Sequence, residues 1–376
     1  MAYVAVRGGE RAIERAELLF RQLNGPIDGD FVRSIADHLP YLVDRLMGEG
    51  SLYAPELAAL ALAQSGGDLY EATLLLRAYR STQPRIAYAL PVDAGHTRTL
   101  RRISAAFKDI PGGQILGPTL DYSHRLLRTE LLDSEAGNQE PGVSSQEPGD
   151  GERESAGIGQ TPEADDSTAV MPISIPPVSD WLRQHGLLAP KIDAGDDDPA
   201  TLPDVTREPI VFPAPRAHRL QSLARADTGG VLTLGYAGMR GYGTTHPTVG
   251  EVRLGEADVQ LRHPISGAVF SVGRVRIAQA EVLSSEADRL EIGGAATFGW
   301  NEVKVIAAAM LDLEMDRAAP HPAHQEEFAI THTEPVEASG FCIHYKLPHY
   351  VTFGSALDVI RRRQPHAAQA STDSHR

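Results

Sequence analysis

Cysteine is nearly missing from this chain: of 376 residues only Cys342 carries a thiol, which excludes an intramolecular disulfide framework. Aromatic residues make up 6%, yet 42% of the chain is hydrophobic, enough to bury a substantial core as two domains or one elaborated domain. No stretch approaches the roughly 18 consecutive apolar residues of a membrane span. The opening segment MAYVAVRGGERAIERAELLF places charge where a secretory signal needs apolar residues. These absences together predict a cytosolic protein. An excess of basic residues is lacking too, since the formal net charge is -15. The acidity is local, however. Residues 133 to 169 carry ten acids against Arg153, and residues 191 to 208 carry six against Lys191 and Arg207, so the rest of the chain is close to neutral.

Composition divides the chain into three parts. In the first, residues 1 to 132, a short strand-like Tyr3 to Val6 precedes Glu10 to Leu23, where apolar residues recur at helical spacing. The same spacing predicts helices over Phe31 to Met47, Ala54 to Gln64 and Tyr70 to Tyr79, and helical signals continue through residue 132. Residues 133 to 208 read as an acidic, largely disordered insert with a short helix near 180 to 188. Residues 209 to 376 form a mixed region. Strand signals there fall at Val231 to Tyr236, Gly250 to Leu254, Ala257 to Leu261, Val269 to Val275 and Arg289 to Ile292, followed by helices at Asn301 to Met315 and Ser355 to Arg363. The expected fold class is α+β, a mostly helical N-terminal region followed by a mixed region with an antiparallel-rich sheet.

Three segments concentrate chemistry. Arg98, Arg101, Arg102 and Lys108 precede Gly112-Gly113, with Asp121, Ser123 and His124 close behind. Arginine forks bind phosphate oxygens and paired glycines let backbone N–H groups approach an anion, so the segment suits a phosphorylated ligand. The alternative is an arginine-faced helix followed by a turn whose glycines supply only positive φ. Neither the G-x-x-x-x-G-K-[ST] phosphate loop nor the G-x-G-x-x-G dinucleotide fingerprint is present, and no G-x-S-x-G elbow supports a triad at Ser123-His124. The second segment, Arg240-Gly241-Tyr242-Gly243-Thr244-Thr245-His246-Pro247 leading to Glu251, offers donors for phosphate and sugar oxygens and a possible acid or base in His246. A wide hairpin turn is its bland reading.

The third segment holds His321, His324, His332, His344 and His349, five of the chain's 14 histidines. In a helix or a strand, residues five apart do not share a face, so His344 and His349 meet one ligand only if the chain turns between Tyr345 and Pro348. Two imidazoles are half of a zinc shell, and two unrelated histidines are the alternative. Cys342 reads as a small core thiol or, on a strand, a residue sharing the face of His344.

The motifs YVAVRGGE, LLLRAYR at 74 to 80, RRISAAFKDIPGGQILGPTLDYSHRLL at 101 to 127, RGYGTTHP at 240 to 247, and QEEF followed by HYKLPHY closely resemble the PhnI family of the bacterial carbon-phosphorus lyase system. The resemblance covers both halves and fails mainly at the acidic insert. It implies a nucleosidase-like transferase of phosphonate catabolism, which displaces the purine of ATP by a phosphonate at ribose C1′ to give a ribose 1-alkylphosphonate 5-triphosphate. On its own such a subunit would release the purine of ATP or GTP. The resemblance implies partners of the PhnG, PhnH, PhnJ and PhnL types, a homodimer within a hetero-oligomer, Mg as the nucleotide counter-ion, and zinc held by His344 and His349 at an interface. Residue chemistry then nominates Arg101, Arg102, Lys108, Arg240 and the Gly112-Gly113 backbone for phosphates, Asp121 or Glu251 for the ribose, and His124 or His246 for the purine. Two other readings stay open: a non-catalytic scaffold supplying a zinc half-site, and a stand-alone zinc hydrolase.

Overall fold

The computed structural model describes residues 9–123, 125–132, 175–189, 201–239, 246–286, 289–346 and 351–363. Among them twelve α-helices surround one antiparallel sheet of four strands, so the α+β expectation holds. The sheet runs in the order β1 (Arg98–Ile103), β2 (Thr248–Arg262), β3 (Val269–Glu286) and β4 (Arg289–Phe298).

Helical periodicity located the N-terminal helices well. The structure forms α1 (Gly9–Asn24), α2 (Gly29–His38), α3 (Pro40–Gly50), α4 (Pro55–Gln64) and α5 (Leu69–Ser81). The span expected as one helix from Phe31 to Met47 is two, because Pro40 has no N–H to continue α2 and instead starts α3. Asp28 and Asp68 cap α2 and α5 by accepting N–H groups of their first turns. Val43, Leu46, Met47, Leu62 and Leu76 form the core of this bundle, with Phe298 of β4 packed against it.

Helicity does not continue to residue 132. After α5 the chain is mostly irregular, and Arg98–Ile103 becomes the edge strand β1, paired with β2 from Arg98 opposite Glu256 to Ile103 opposite Val252. The arginine-rich stretch is therefore a strand with a register shift between Thr99 and Arg101, not an arginine-faced helix. Val231 to Tyr236, expected as a strand, lies in helix α8 (Thr228–Ala237). Short apolar runs do not separate the two states by themselves, and here Asp227 decides by accepting the Gly230 N–H at 2.6 Å as an N-cap. The two strands expected at 250 to 254 and 257 to 261 are one, β2.

Alternation along β2 and β3 gives the sheet two unlike faces. Val252, Leu254, Ala278, Ala280 and Val282 face α9 (Glu302–Met315) and pack on its Val305, Ala309 and Leu313. Gly293 of β4 permits that approach, because a Cβ there would collide with the Ala309 carbonyl. Glu251, Arg253, Gln279 and Glu281 point the other way, toward α6 (Val178–Gln184), the short helix expected near 180 to 188. Ile110, Val178, Leu182, Leu188 and Leu283 close that side. Helices α7 (Arg216–Arg225), α8 and α10 (Glu326–His332) cover the far side of α9 through Leu223, Val231, Leu311 and Ala329.

Lys304 of α9 is buried in this interior, with Nζ 2.6 Å from the Ala224 carbonyl. Burial lowers its pKa to about 8. The folded pKa lies below the unfolded one, so Lys304 costs stability below about pH 8, and that cost fades as pH rises toward the ordinary lysine value. Ala224 O keeps Thr297 as a second donor at 3.1 Å. Lys304→Met is therefore expected to unfold at the same or higher temperature than wild type at pH 7, with the advantage shrinking above pH 8 in thermal melts.

Candidate active site

Glu302 stands at the first position of α9, and Arg101 of β1 donates from Nε to its Oε1 at 2.9 Å. The same guanidinium donates from Nη1 to the Tyr122 hydroxyl at 2.7 Å and to the Leu116 carbonyl, and it lies 5.6 Å from the Tyr122 ring centroid. Asp121, beside Tyr122 in a single helical turn (Leu120–Tyr122), accepts from the Thr119 hydroxyl at 2.9 Å and pairs with Arg125. Burial raises the Glu302 carboxyl above the ordinary range; Arg101 works against that shift and the charge of Asp121 adds to it.

An aromatic pair borders these acids. Tyr41 of α3 stacks on Trp300, with ring centroids 5.6 Å apart and planes 22° apart, and the Arg276 guanidinium lies 4.9 Å from the Trp300 centroid. Asp44 fixes this wall. It is fully buried, accepts from Arg276 Nη2 and from the Trp300 N–H, each at 2.8 Å, and packs against Gly299, whose φ of 73° and closeness to Asp44 leave no room for a side chain. The Tyr41 hydroxyl is pushed up by partial burial and then by the charges of Glu302, Asp121 and Asp44. Trp300 Nε1 is buried with no hydrogen-bond partner among the described residues.

The nominated residues do not all gather here. Arg101 and Asp121 do. Arg102 and Glu251 meet instead on the opposite face of the sheet, with Arg102 Nε 2.7 Å from Glu251 Oε1. Arg102 is fully buried, and its remaining donors reach the carbonyls of Pro111 (2.6 Å), Gly113 (2.9 Å) and Pro176 (3.2 Å). Glu251 also accepts from Arg253 Nη2 at 2.6 Å and from the Val178 N–H at 2.8 Å. Burial by itself would raise the Glu251 carboxyl, but the Arg102 hydrogen bond and Arg253 hold it below the ordinary range. Next to it Glu281, which binds Ser179, is raised by burial and by the Glu251 charge.

Gly112 and Gly113 adopt φ of 80° and 74°, the turn their alternative reading required. The Gly113 N–H is bonded to the Ile110 carbonyl at 2.9 Å, and a Cβ on Gly112 would meet Ile175 at 2.8 Å, so this loop packs on the protein and offers its carbonyls to Arg102. Lys108 is exposed, as is His246 just ahead of β2. His124, Arg240 and His349 lie outside the described residues.

His344 lies in the last turn of α11 (Pro335–Lys346), exposed, its ring 5.8 Å from that of Tyr345. The chain is thus helical through Lys346, where a turn starting at Tyr345 was expected; α12 (Val351–Arg363) begins five residues later. Cys342 is exposed rather than a core thiol, and on a helix two residues' spacing turns it away from the face of His344. His324 is buried with Nε2 2.9 Å from the Leu234 carbonyl, and His332 stacks on Phe328 at 3.9 Å. Among the described residues no three His, Cys, Asp or Glu side chains form a group able to hold a metal ion.

Sequence reasoning missed Glu302, Tyr41 and Trp300. The available signal was a tryptophan two residues before an acid at a helix start, in a chain with only two tryptophans.

The family model for the bacterial phosphonate metabolism protein PhnI matches residues 2–367. The chain belongs to the PhnI family. It is 40% identical to the alpha-D-ribose 1-methylphosphonate 5-triphosphate synthase subunit PhnI of Rhizobium meliloti (98% of this chain, 97% of the relative) and 39% identical to the subunit of that name from Escherichia coli (96% and 98%). It is also 41% identical to HtxH of Stutzerimonas stutzeri, named as a candidate C-P lyase subunit, over 99% of this chain and 98% of the relative. Membership places the chain in phosphonate metabolism, among proteins named as subunits of larger assemblies.

Removing Arg102 would leave the buried Glu251 with one guanidinium and release the carbonyls of Pro111, Gly113 and Pro176. Arg102→Ala is expected to cost about 3–5 kcal/mol of stability, whereas Lys108→Ala at an exposed position is expected to stay within about 0.5 kcal/mol; urea unfolding followed by circular dichroism distinguishes them.

Proposed function

We propose that this PhnI-family chain carries the ribosyl-transfer step of phosphonate activation, with Glu302 as the proton donor to the departing purine. The observation carrying this reading is a carboxyl group of raised proton affinity beside a second acid, Asp121, against the Tyr41–Trp300 pair. Cleaving an N-glycosidic bond develops positive charge on the ribose and negative charge on the purine, so it uses one carboxylate to face C1′ and one acid to protonate the leaving base. The C1′–N9 bond of the purine nucleotide breaks, Glu302 delivers its proton to the purine, and an oxygen of the alkylphosphonate forms the new C1′–O bond. With water as acceptor, the products are purine and ribose 5-triphosphate.

Asp121 is the candidate for the ribose, and the ring faces of the Tyr41–Trp300 pair are the candidate for the base. Arg101 tunes and orients Glu302. Lys108 and Arg240 stand as candidate triphosphate contacts, together with Mg on the nucleotide. The commitment of Arg102, Glu251 and the Gly113 N–H to protein partners speaks for a folding role for those three. The names of the relatives support assembly with further subunits, and the proposal takes these to be of the PhnG, PhnH, PhnJ and PhnL types around a pair of these chains.

The test is purine release from ATP or GTP by the purified chain. Glu302→Gln is expected to lower kcat about 10²–10⁴-fold with little change in KM, and wild-type kcat is expected to fall as pH rises through the Glu302 transition, a limb the variant lacks. Release that needs the partner subunits and is indifferent to Glu302 would favour the scaffold reading instead.

Zinc belongs to a separate part of the proposal. His344 and His349 are two imidazole donors, and an exposed His344 at a helix end suits a site whose remaining ligands come from another chain. When bound there, zinc would supply ligand organisation at that interface. A His344→Ala, His349→Ala variant is expected to lose the zinc that the assembled complex holds, measured by elemental analysis, while purine release survives. Loss of purine release with the zinc would support the stand-alone zinc hydrolase.

A further inference from the structure

A cavity of about 430 Å³, lined by none of the active-site residues named above, opens between the C-terminal end of α3, the segment after α5 and strands β3 and β4. That volume falls in the range of small-molecule sites. Its walls are mostly apolar, with Tyr88 and Phe298 as the ring-bearing surfaces and Ala296 exposed on the strand between them.

One corner is cationic. Arg85 lies 5.2 Å from the Tyr88 ring centroid, and only its Nη2 is engaged among the described residues, with Asp204 at 2.9 Å and Thr206 at 3.1 Å. The Asp204 carboxylate is shared, since its other oxygen accepts the Thr206 hydroxyl at 2.5 Å and the Thr206 N–H at 2.9 Å. Arg80, close by, donates to the Gly50 carbonyl at 2.9 Å and has no carboxylate within ion-pair distance among the described residues. Burial and then the charge of Arg77, with Arg85 adding to it, lower the proton affinity of Arg80, as expected where cations outnumber their acids.

Ser51 adds an independent observation. It lines the same cavity and is the one non-glycine among the described residues with positive φ, 53°, at the end of α3, where glycine is the usual occupant. A non-glycine residue held there on the cavity wall carries a backbone cost of the kind that clusters at ligand sites.

We propose that this cavity is a binding site for a small ligand with a planar ring and a single acidic group, the ring against Tyr88 and Phe298 and the acid at Arg85. A carboxylate, a phosphonate or a monophosphate shares the required chemistry. One incompletely engaged guanidinium does not match a triphosphate, so the site is separate from the nucleotide site proposed above and does not depend on that reading.

The probe is 1-anilinonaphthalene-8-sulfonate, followed by fluorescence with the native full-length chain. It is expected to bind saturably at one equivalent and to be displaced by adenosine monophosphate or by phenylphosphonate; displacement by either supports the site and tells which acid it takes. Arg85→Gln is expected to weaken binding by about tenfold or more, the loss of one charge-assisted contact. Ala296→Met, which fills the cavity from an exposed strand position, is expected to abolish it with the melting temperature unchanged. Absence of saturable binding, no displacement by either acid, or unchanged affinity in Ala296→Met overturns the proposal, and that last variant keeps the test decisive even if Arg85→Gln disturbs the neighbouring segment.

Discussion

The buried guanidinium of Arg102 is the constraint around which this molecule is arranged. Within one side chain's reach it satisfies Glu251, the carbonyls of the Pro111–Gly113 turn and the carbonyl of Pro176. Three stretches distant in sequence are thereby held to one point on the sheet: the edge strand, the glycine turn, and the short helix α6 that emerges from the acidic region. Burying a charge is costly unless it is paired and its donors are used. Here almost every donor is used, and Glu251 is similarly saturated by Arg253 and the Val178 N–H. The polar cluster therefore favours one arrangement of these segments, because an alternative leaves a buried ion unpaired.

The two faces of the sheet thus divide labour. One locks segments together through ions; the other packs apolar residues on α9 and aims the N-terminal end of that helix. Glu302 occupies that end, where the helix dipole favours a charged carboxylate, yet burial and Asp121 drive its proton affinity up. Arg101, the immediate neighbour of Arg102, reaches Glu302 instead of Glu251. Adjacent strand residues point to opposite faces, so one Arg-Arg pair contributes a cation to the buried ion cluster on one side and a cation to the candidate site on the other.

Much of this was legible in the sequence, and the failures have definite causes. Residues with helical spacing, such as Glu10 to Leu23 and Asn301 to Met315, folded as read. Val231 to Tyr236 failed because an apolar run of that length fits strand or helix, and Asp227, the residue immediately before the helix, decided the matter as its N-cap. The arginine-rich segment was recognised as important, but its partners lay far off. Nothing local distinguishes Arg101 from Arg102, and only the pairing of β1 with β2 assigns them opposite faces. Trp300 and Tyr41 were likewise invisible as a pair, since 259 residues separate them.

The placement of β1 also bears on how the chain acquires its shape during synthesis. Helices α2 to α5 are contiguous and can pack as soon as they leave the ribosome. The edge strand that follows cannot, because Arg102 and its partner Glu251 lie 149 residues apart. Until that later stretch is made, an unpaired strand and an unneutralised arginine precede a long acidic segment of the nascent chain. The Arg102–Glu251 pair is thus among the last contacts the chain can close, and the edge strand is the element that waits longest for its place in the fold.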